Sequence, residues 1–388
     1  MKYVDEFRSP QFLQAQLDKI AEFPFNARFM EVCGTHTMAI SKAGLRPLLA
    51  PKVELVSGPG CPVCVTSAAD IGLALALAEI PDAILATFGD MMRVPGPAGT
   101  LSQAAARGAA VKIVYSPLDA LEIAVSNPNK QVAFLGVGFE TTAPAVAAVV
   151  LMAEERGIDN FHLLSLHKLV PPALKALVEM EEFNIDGFIL PGHVSAVLGS
   201  NAYTFLPEDY GIPCVIAGFE AVDILQAICE LMVMRRDGAG LSVEYSRVVR
   251  AEGNPKALDI MHRVFEPADA DWRGLGVIPG SGLRLREEFT ARDAASLVAK
   301  IIQPADDRGC RCGEILCGKI RPAECPLFAG SCTPDNPFGP CMVSTEGTCA
   351  SYYLYDYTDN NGVVNNGVEP QHQQVDNGVE PQHQQGCD

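Results

Sequence analysis

No apolar run in these 388 residues approaches the roughly 20 needed to cross a bilayer; the run at 145–153 is about half that length. The first residues, MKYVDEFRSPQFLQ, lack an apolar h-region and a small-residue cleavage site, so they do not read as a secretory signal. The expectation is a cytoplasmic protein whose thiols stay reduced. Positive charge is scarce as well: 29 Lys and Arg face 47 Asp and Glu, a net charge of −18. That balance argues against nucleic-acid and acidic-membrane partners. Neither GxGxxG nor GxxxxGK[ST] follows a predicted strand, which removes the main support for a nucleotide- or phosphate-binding enzyme.

Cysteine, by contrast, is plentiful and clustered. Seven of 13 cysteines lie between 310 and 349: Cys310, Cys312, Cys317, Cys325, Cys332, Cys341 and Cys349. The residues between them are rich in Gly, Pro and polar types, with too little apolar periodicity to build a core. Such a segment is ordered by cross-links or by metal. Disulfides need an oxidising compartment. Zinc knuckles carry C-x2-4-C spacings, and the segment has no CxxC. Widely spaced thiolates on an irregular loop suit a [4Fe–4S] cluster, which takes four cysteines; zinc remains the alternative.

The body of the chain alternates short apolar strands with helical periodicity. Strands are predicted at 28–32, 53–56, 83–87 and 110–115, then at 131–135, 162–166, 188–191 and 214–217. Helices fall between them, near 67–77, 142–156, 171–180 and 221–234. This pattern implies an α/β fold: two similar parallel-sheet domains facing a cleft, plus a smaller irregular iron–sulfur domain. The expected boundaries are an N-terminal helix within 1–24 packing on the iron–sulfur unit, α/β domains at 25–125 and 126–240, and an iron–sulfur domain at 241–356. Within that last unit a helix is expected at 254–265, a turn-rich stretch at 272–285 and a helix near 291–301. The tail, 357–388, repeats NGVEPQHQQ, is polar, and reads as disordered.

The chemistry-bearing residues cluster after strands, on the sheet edge where such folds bind ligands. Cys33-Gly34-Thr35-His36-Thr37 ends the first strand, where a helix N-terminus would favour thiolate. A buried structural cysteine is the alternative for Cys33. Cys61-Pro62-Val63-Cys64, the only CxxC, ends the second, as a redox dithiol or a pair of metal ligands. With Cys33 it makes three thiols that adjacent strands could bring together. Later strands end in Gly138-Phe139-Glu140-Thr141-Thr142, Pro191-Gly192-His193-Val194-Ser195 and Gly218-Phe219-Glu220. Glu140 and Glu220 serve either a helix start or the site; His193 leans to the site. His162 reads as a core histidine, and Cys214 and Cys229 as small buried hydrophobes.

CGTHT, GPGCPVC, GFETT, PGHVS and the final cysteine segment, in this order over residues 25–353, resemble the HypD family of [NiFe]-hydrogenase maturation factors. The family's C-x14-C-x6-C-x16-C spacing fits Cys310, Cys325, Cys332 and Cys349, which the resemblance assigns to a [4Fe–4S] cluster. It leaves Cys312, Cys317 and Cys341 as non-ligands, with Cys312 and Cys341 close enough in sequence to stand as alternatives. The resemblance further implies a scaffold that works with the partner HypC, on which an iron carrying two cyanides and one carbon monoxide is assembled. HypE would supply cyanide, and the hydrogenase large subunit would receive the product. Cys33 would hold the iron; Cys61 and Cys64 would be a redox dithiol, fed by the cluster, or further iron ligands. His36, Glu140 and His193 complete the expected site, the last two as proton handlers or holders of the partner's terminus. An iron–sulfur protein-disulfide reductase is the alternative.

Overall fold

The computed structural model describes residues 10–299 and 309–357. In chain order the strands of the α/β region are Ala27–Glu31 (β1), Val53–Ser57 (β2), Ala83–Thr87 (β3), Val111–Ile113 (β4), Gln131–Gly136 (β5), Phe161–Ser165 (β6), Gly187–Pro191 (β7), Cys214–Ala217 (β8) and Leu241–Val243 (β9). They form two sheets, ordered β2-β1-β7-β8-β9 and β4-β3-β5-β6. Every pairing in both is parallel. β3, β7 and β8 are buried along their whole length, as strands covered by helices on both faces must be. The α/β class and the two facing parallel sheets are as expected.

The partition along the chain differs from expectation. β1 and β2 pair with β7 to β9, while β3 and β4 pair with β5 and β6. The second sheet is therefore an insertion between β2 and β7, and the boundary at 125/126 cuts through it. Alternation of strand and helix specifies parallel pairing but leaves each strand's neighbour open. The chain crosses between lobes twice, after β2 and after β6, and the first crossing carries Cys61 and Cys64.

The N-terminal helix, Pro10–Ala21, packs on the helix Ala221–Asp237 of the first lobe, not on the cysteine segment. Its buried Gln16 is hydrogen bonded to Gln226 at 2.8 Å, and Ile20 joins the core of Phe29, Ile189 and Ile228. The expected helical residues 3–9 and the repeat tail lie outside the described residues.

The expected unit 241–356 also divides. The helix Pro255–Val264 leads into an antiparallel hairpin, Phe265–Trp272 (β10) and Gly276–Leu285 (β11), where turns were expected. Met261, Val264, Phe265, Leu283 and Leu285 enter the core of the second lobe with Phe134, Val146 and Leu163. The stretch at 291–301 gives two 3-10 turns, Glu287–Arg292 and Ala294–Leu297, with residues beyond 299 outside the described range. The cysteine segment proper, 309–357, has only short helices. One of them, Thr348–Ser351, packs on the helix Gly34–Lys42 that starts at Cys33.

Candidate functional site

The carboxyl ends of both sheets open on one cleft of about 590 Å³. The first lobe contributes Cys33, Gly34 and Thr35 after β1, Gly60, Pro62 and Val63 after β2, and Pro191 and His193 after β7. The second contributes Phe88 to Met91 after β3, Tyr115 after β4, and Gly138, Phe139, Thr141 and Thr142 after β5. Glu346 reaches in from the cysteine segment. Its Oε1 accepts the Thr35 hydroxyl at 2.8 Å. Nothing in the sequence singled out Glu346; its position between Cys341 and Cys349 was the available signal.

The first two strand-end loops are pressed together. The Gly34 N–H donates to the Gly60 carbonyl at 2.8 Å, and a Cβ on Gly60 would stand 2.1 Å from the Cys33 nitrogen. Only glycine fits there, and that closeness sets Cys33 beside the CxxC loop. Cys33 is 8% exposed. Burial pushes its thiol up to about 12, so desolvation outweighs the helix-start potential that was expected to lower it. Cys61 begins the short helix Pro62–Val65, and its sulfur accepts the Cys64 N–H at 3.4 Å. Both cysteines are buried, beneath the floor formed by Gly60, Pro62 and Val63.

From Cys64 a line of thiols runs into the cysteine segment. The Cys64 thiol lies beside those of Cys61 and Cys341, Cys341 beside Cys349 and Cys312, and Cys312 beside Cys310, each close enough to shift its neighbour's pKa. Burial holds Cys64 well above its ordinary value. Cys310, Cys312, Cys325, Cys332, Cys341 and Cys349 line one small hollow together with Ile315, Leu327, Phe328 and Met342. The four thiols expected to act together are thus gathered in one place. Cys312 and Cys341, set aside from the spacing, are there too, and Cys341 is the contact to the CxxC. None of the 12 cysteines among the described residues is in a disulfide. Among those residues no group of three or more His, Cys, Asp or Glu converges closely enough for a single metal ion. The fit to a cluster therefore rests on the donor set: soft thiols in an apolar shell, the ligand type that iron–sulfur clusters take.

The other expected residues separate. His193 lines the cleft, with its ring stacked 4.0 Å from that of Phe219. Burial lowers its pKa, and Glu346 opposes the shift. His36 is fully buried and does not line the cleft: its Nε2–H donates to the Gly218 carbonyl at 2.8 Å, and its ring stacks on the same Phe219 at 4.8 Å. Burial lowers its pKa to about 4. Glu140 is fully buried, and its Oε1 accepts the Val170 N–H at 2.8 Å, holding the start of the helix Val170–Val178 at the second crossing. It is not among the residues that line the cleft. Glu220 caps the helix Ala221–Asp237.

A two-lobed α/β fold with one thiol in a shared cleft and a group of buried thiols behind it defines a class of two-lobed α/β protein with a thiol-bearing cleft. The family model for HypD, described as "Hydrogenase formation hypA family", matches residues 11–356. The chain is 44% identical over 367 residues to the hydrogenase maturation factor HypD of Escherichia coli (strain K12), covering 92% of this chain and 98% of that one. The HypD of Azotobacter vinelandii is also 44% identical over 367 residues (92% and 97%), and that of Rhodobacter capsulatus 42% over 372 residues (92% and 98%). This chain belongs to the HypD family of hydrogenase maturation factors. Among the described residues no helix is long and apolar enough to cross a membrane.

Proposed function

We propose that the cleft is the platform on which the Fe(CN)2CO group of a [NiFe]-hydrogenase is assembled in the cytoplasm, with HypC as partner, HypE as cyanide donor and the hydrogenase large subunit as recipient. The observation that carries this reading is Cys33 lining the cleft on a loop hydrogen bonded to the CxxC loop, whose Cys64 lies beside Cys341. The iron is cargo, and Cys33 offers it a soft thiolate, to be completed by a thiol of HypC. Burial disfavours the free thiolate at Cys33, so binding iron is what releases its proton.

Cys310, Cys325, Cys332 and Cys349 would hold a [4Fe–4S] cluster, which when bound supplies electrons. Releasing cyanide from a thiocyanate breaks an S–C bond and requires two electrons and a proton to leave the donor sulfur as a thiol. Oxidation of Cys61 and Cys64 to a disulfide yields two electrons and two protons, so the balance closes with one proton over. His193, in the cleft and close to Glu346, is placed to take that proton. Glu346 thereby replaces Glu140 as the acid of the cleft.

Infrared spectroscopy of the protein purified anaerobically with HypC tests the reading, wild type beside Cys33→Ala. Iron-bound cyanide and carbon monoxide bands are expected in the wild type and absent from the variant. Bands that survive the substitution would move the iron away from Cys33. Their absence from wild type carrying an intact cluster would favour the disulfide reductase.

A further inference from the structure

We propose that Glu31 is the positioning residue for the Cys33 thiol, holding it at the cleft through a hydrogen bond whose reach, not whose charge, matters. Glu31 is the last residue of β1 and is completely buried. Its Oε2 accepts the Cys33 N–H at 3.0 Å, and its Oε1 accepts the Thr37 hydroxyl. The Ser57 hydroxyl, at the end of β2, lies close enough to this carboxyl to favour its charged form. The main chain is tied at the same place, with the Gly58 N–H donating to the Glu31 carbonyl at 2.7 Å. One buried side chain thus joins the ends of two strands to the first turn of the helix Gly34–Lys42.

That helix needs such help. Cys33 is its N-cap residue, with extended backbone at φ −151°; its sulfur makes no cap hydrogen bond of normal geometry, although the His36 and Thr35 N–H groups lie near enough to favour its thiolate. Ser, Thr, Asp or Asn would ordinarily satisfy a helix start from this position. The carboxylate two residues upstream instead takes up the N–H of Cys33 itself and the hydroxyl of Thr37, tying the helix's first turn to the strand. The brace is anchored from behind. Arg46 lies close to Glu31, reaches Ser57 Oγ at 3.4 Å, and pairs with Asp356 at 2.7 Å. Asp356 closes the helical turn Tyr352–Asp356 at the end of the cysteine segment, so the pose of Cys33 is referenced to the body that carries the other thiols.

Two conservative substitutions separate reach from charge. Glu31→Asp keeps the charge and withdraws the carboxylate by one methylene, beyond the Cys33 N–H. Glu31→Gln loses the charge and keeps the reach: its Oε1 still accepts from Cys33, and its amide donates to the Thr37 or Ser57 hydroxyl. The readout is the alkylation rate of Cys33 in the anaerobic full-length protein, followed by peptide mass spectrometry with iodoacetamide. Buried Cys214 serves as the internal control for an intact core. In Glu31→Asp the Cys33 rate is expected to rise about fivefold, the order expected when one hydrogen bond of ordinary net strength is lost. In Glu31→Gln it stays within about twofold of wild type.

An unchanged rate in Glu31→Asp overturns the proposal, and so does a rise in Glu31→Gln equal to that in Glu31→Asp, which would make charge the cause. If Cys214 also becomes reactive in Glu31→Asp, Thr37→Val replaces it. Freeing Oε1 lets the carboxylate turn away from Cys33, so the rate must rise there too, and an unchanged rate sinks the idea. The proposal rests on the reading of Cys33 as the iron-holding thiol, yet the labelling reads the thiol itself and stands or falls without iron. The infrared bands of the complex with HypC, kept in Glu31→Gln and weakened or shifted in Glu31→Asp, then tie the pose to the cargo. Bands that persist in Cys33→Ala refute that reading and leave the labelling result intact.

Discussion

Glu31 and Glu140 carry their carboxyl groups out of water at the ends of β1 and β5, and in both burial pushes the pKa up to about 7 from 4.5. A carboxyl whose folded value is raised favours folding most below its unfolded value, and that contribution is lost as pH rises through 7. At Glu140 the cost is concentrated on one atom, because Oε2 meets no hydrogen-bond partner among the described residues. Glu140→Gln keeps an acceptor for the Val170 N–H and removes the charge. It is expected to match wild type in urea unfolding near pH 4.5 and to exceed it by about 3 kcal/mol at pH 8. Equal pH slopes for the two proteins would refute this. The same residue shows the limit of what motif position conveys. GFETT marked Glu140 as special, but whether a carboxylate after a strand faces the cleft or turns back to cap a neighbouring helix depends on a contact 30 residues away. His36 is a second case, held out of the cleft lining by the Gly218 carbonyl, 182 residues along the chain. Cys33 and His193, which line the cleft, and Cys61 and Cys64, buried behind it, stand after the expected strands because glycine and proline fix their loops locally.

The elements were mostly readable where burial gives them a clear period, as in β3, β5 and β8. The hairpin was not. Its first strand, FEPADADW, alternates but carries Pro267 and three acidic residues, features that normally demote a strand. It forms because its partner β11 and the two crossings accept it. Thr66 bridges to Trp272, Lys168 bridges to Gly282, and the Trp272 ring lies 6.1 Å from Phe139. The fastening is Lys168, 2% exposed, whose Nζ pairs with Asp70 at 3.1 Å and donates to the Asp271 carbonyl at 2.9 Å. Asp70 also closes the capping box with Ser67 that starts the helix Ala68–Ala78. Lys168→Ala leaves a largely buried carboxylate without its counter-charge and is expected to cost about 3 kcal/mol, read as a lower urea midpoint. Replacing both partners, Lys168→Met with Asp70→Asn, should recover most of it. A single variant as stable as wild type would show that the pair does not fasten the hairpin.

At the scale of the molecule, the pairing of β1 and β2 with β7 to β9 makes the second lobe an insertion, and insertions are often autonomous. This one is not complete between its two crossings. The inner faces of Phe134, Val146 and Leu163 are covered by Met261, Val264, Phe265, Leu283, Leu285 and Phe289, all from beyond β9. On the other face, Ala294 packs with Leu85, Leu135 and Leu164. A buried side chain of this size contributes about 1.5–3 kcal/mol when removed from water, so losing the six from one face exceeds the stability of a typical small domain. Residues 66–168 expressed alone are therefore expected to lack cooperative urea unfolding and to bind the dye ANS. Co-expression with residues 254–299 should restore a sigmoidal transition and suppress the dye signal. The sequence placed 254–299 with the cysteines because both are irregular, whereas the core places it with the second sheet. Cooperative unfolding of 66–168 by itself would mean that the hairpin is an ornament on a finished lobe. The failure of the pair to associate would mean that the first lobe supplies the missing support.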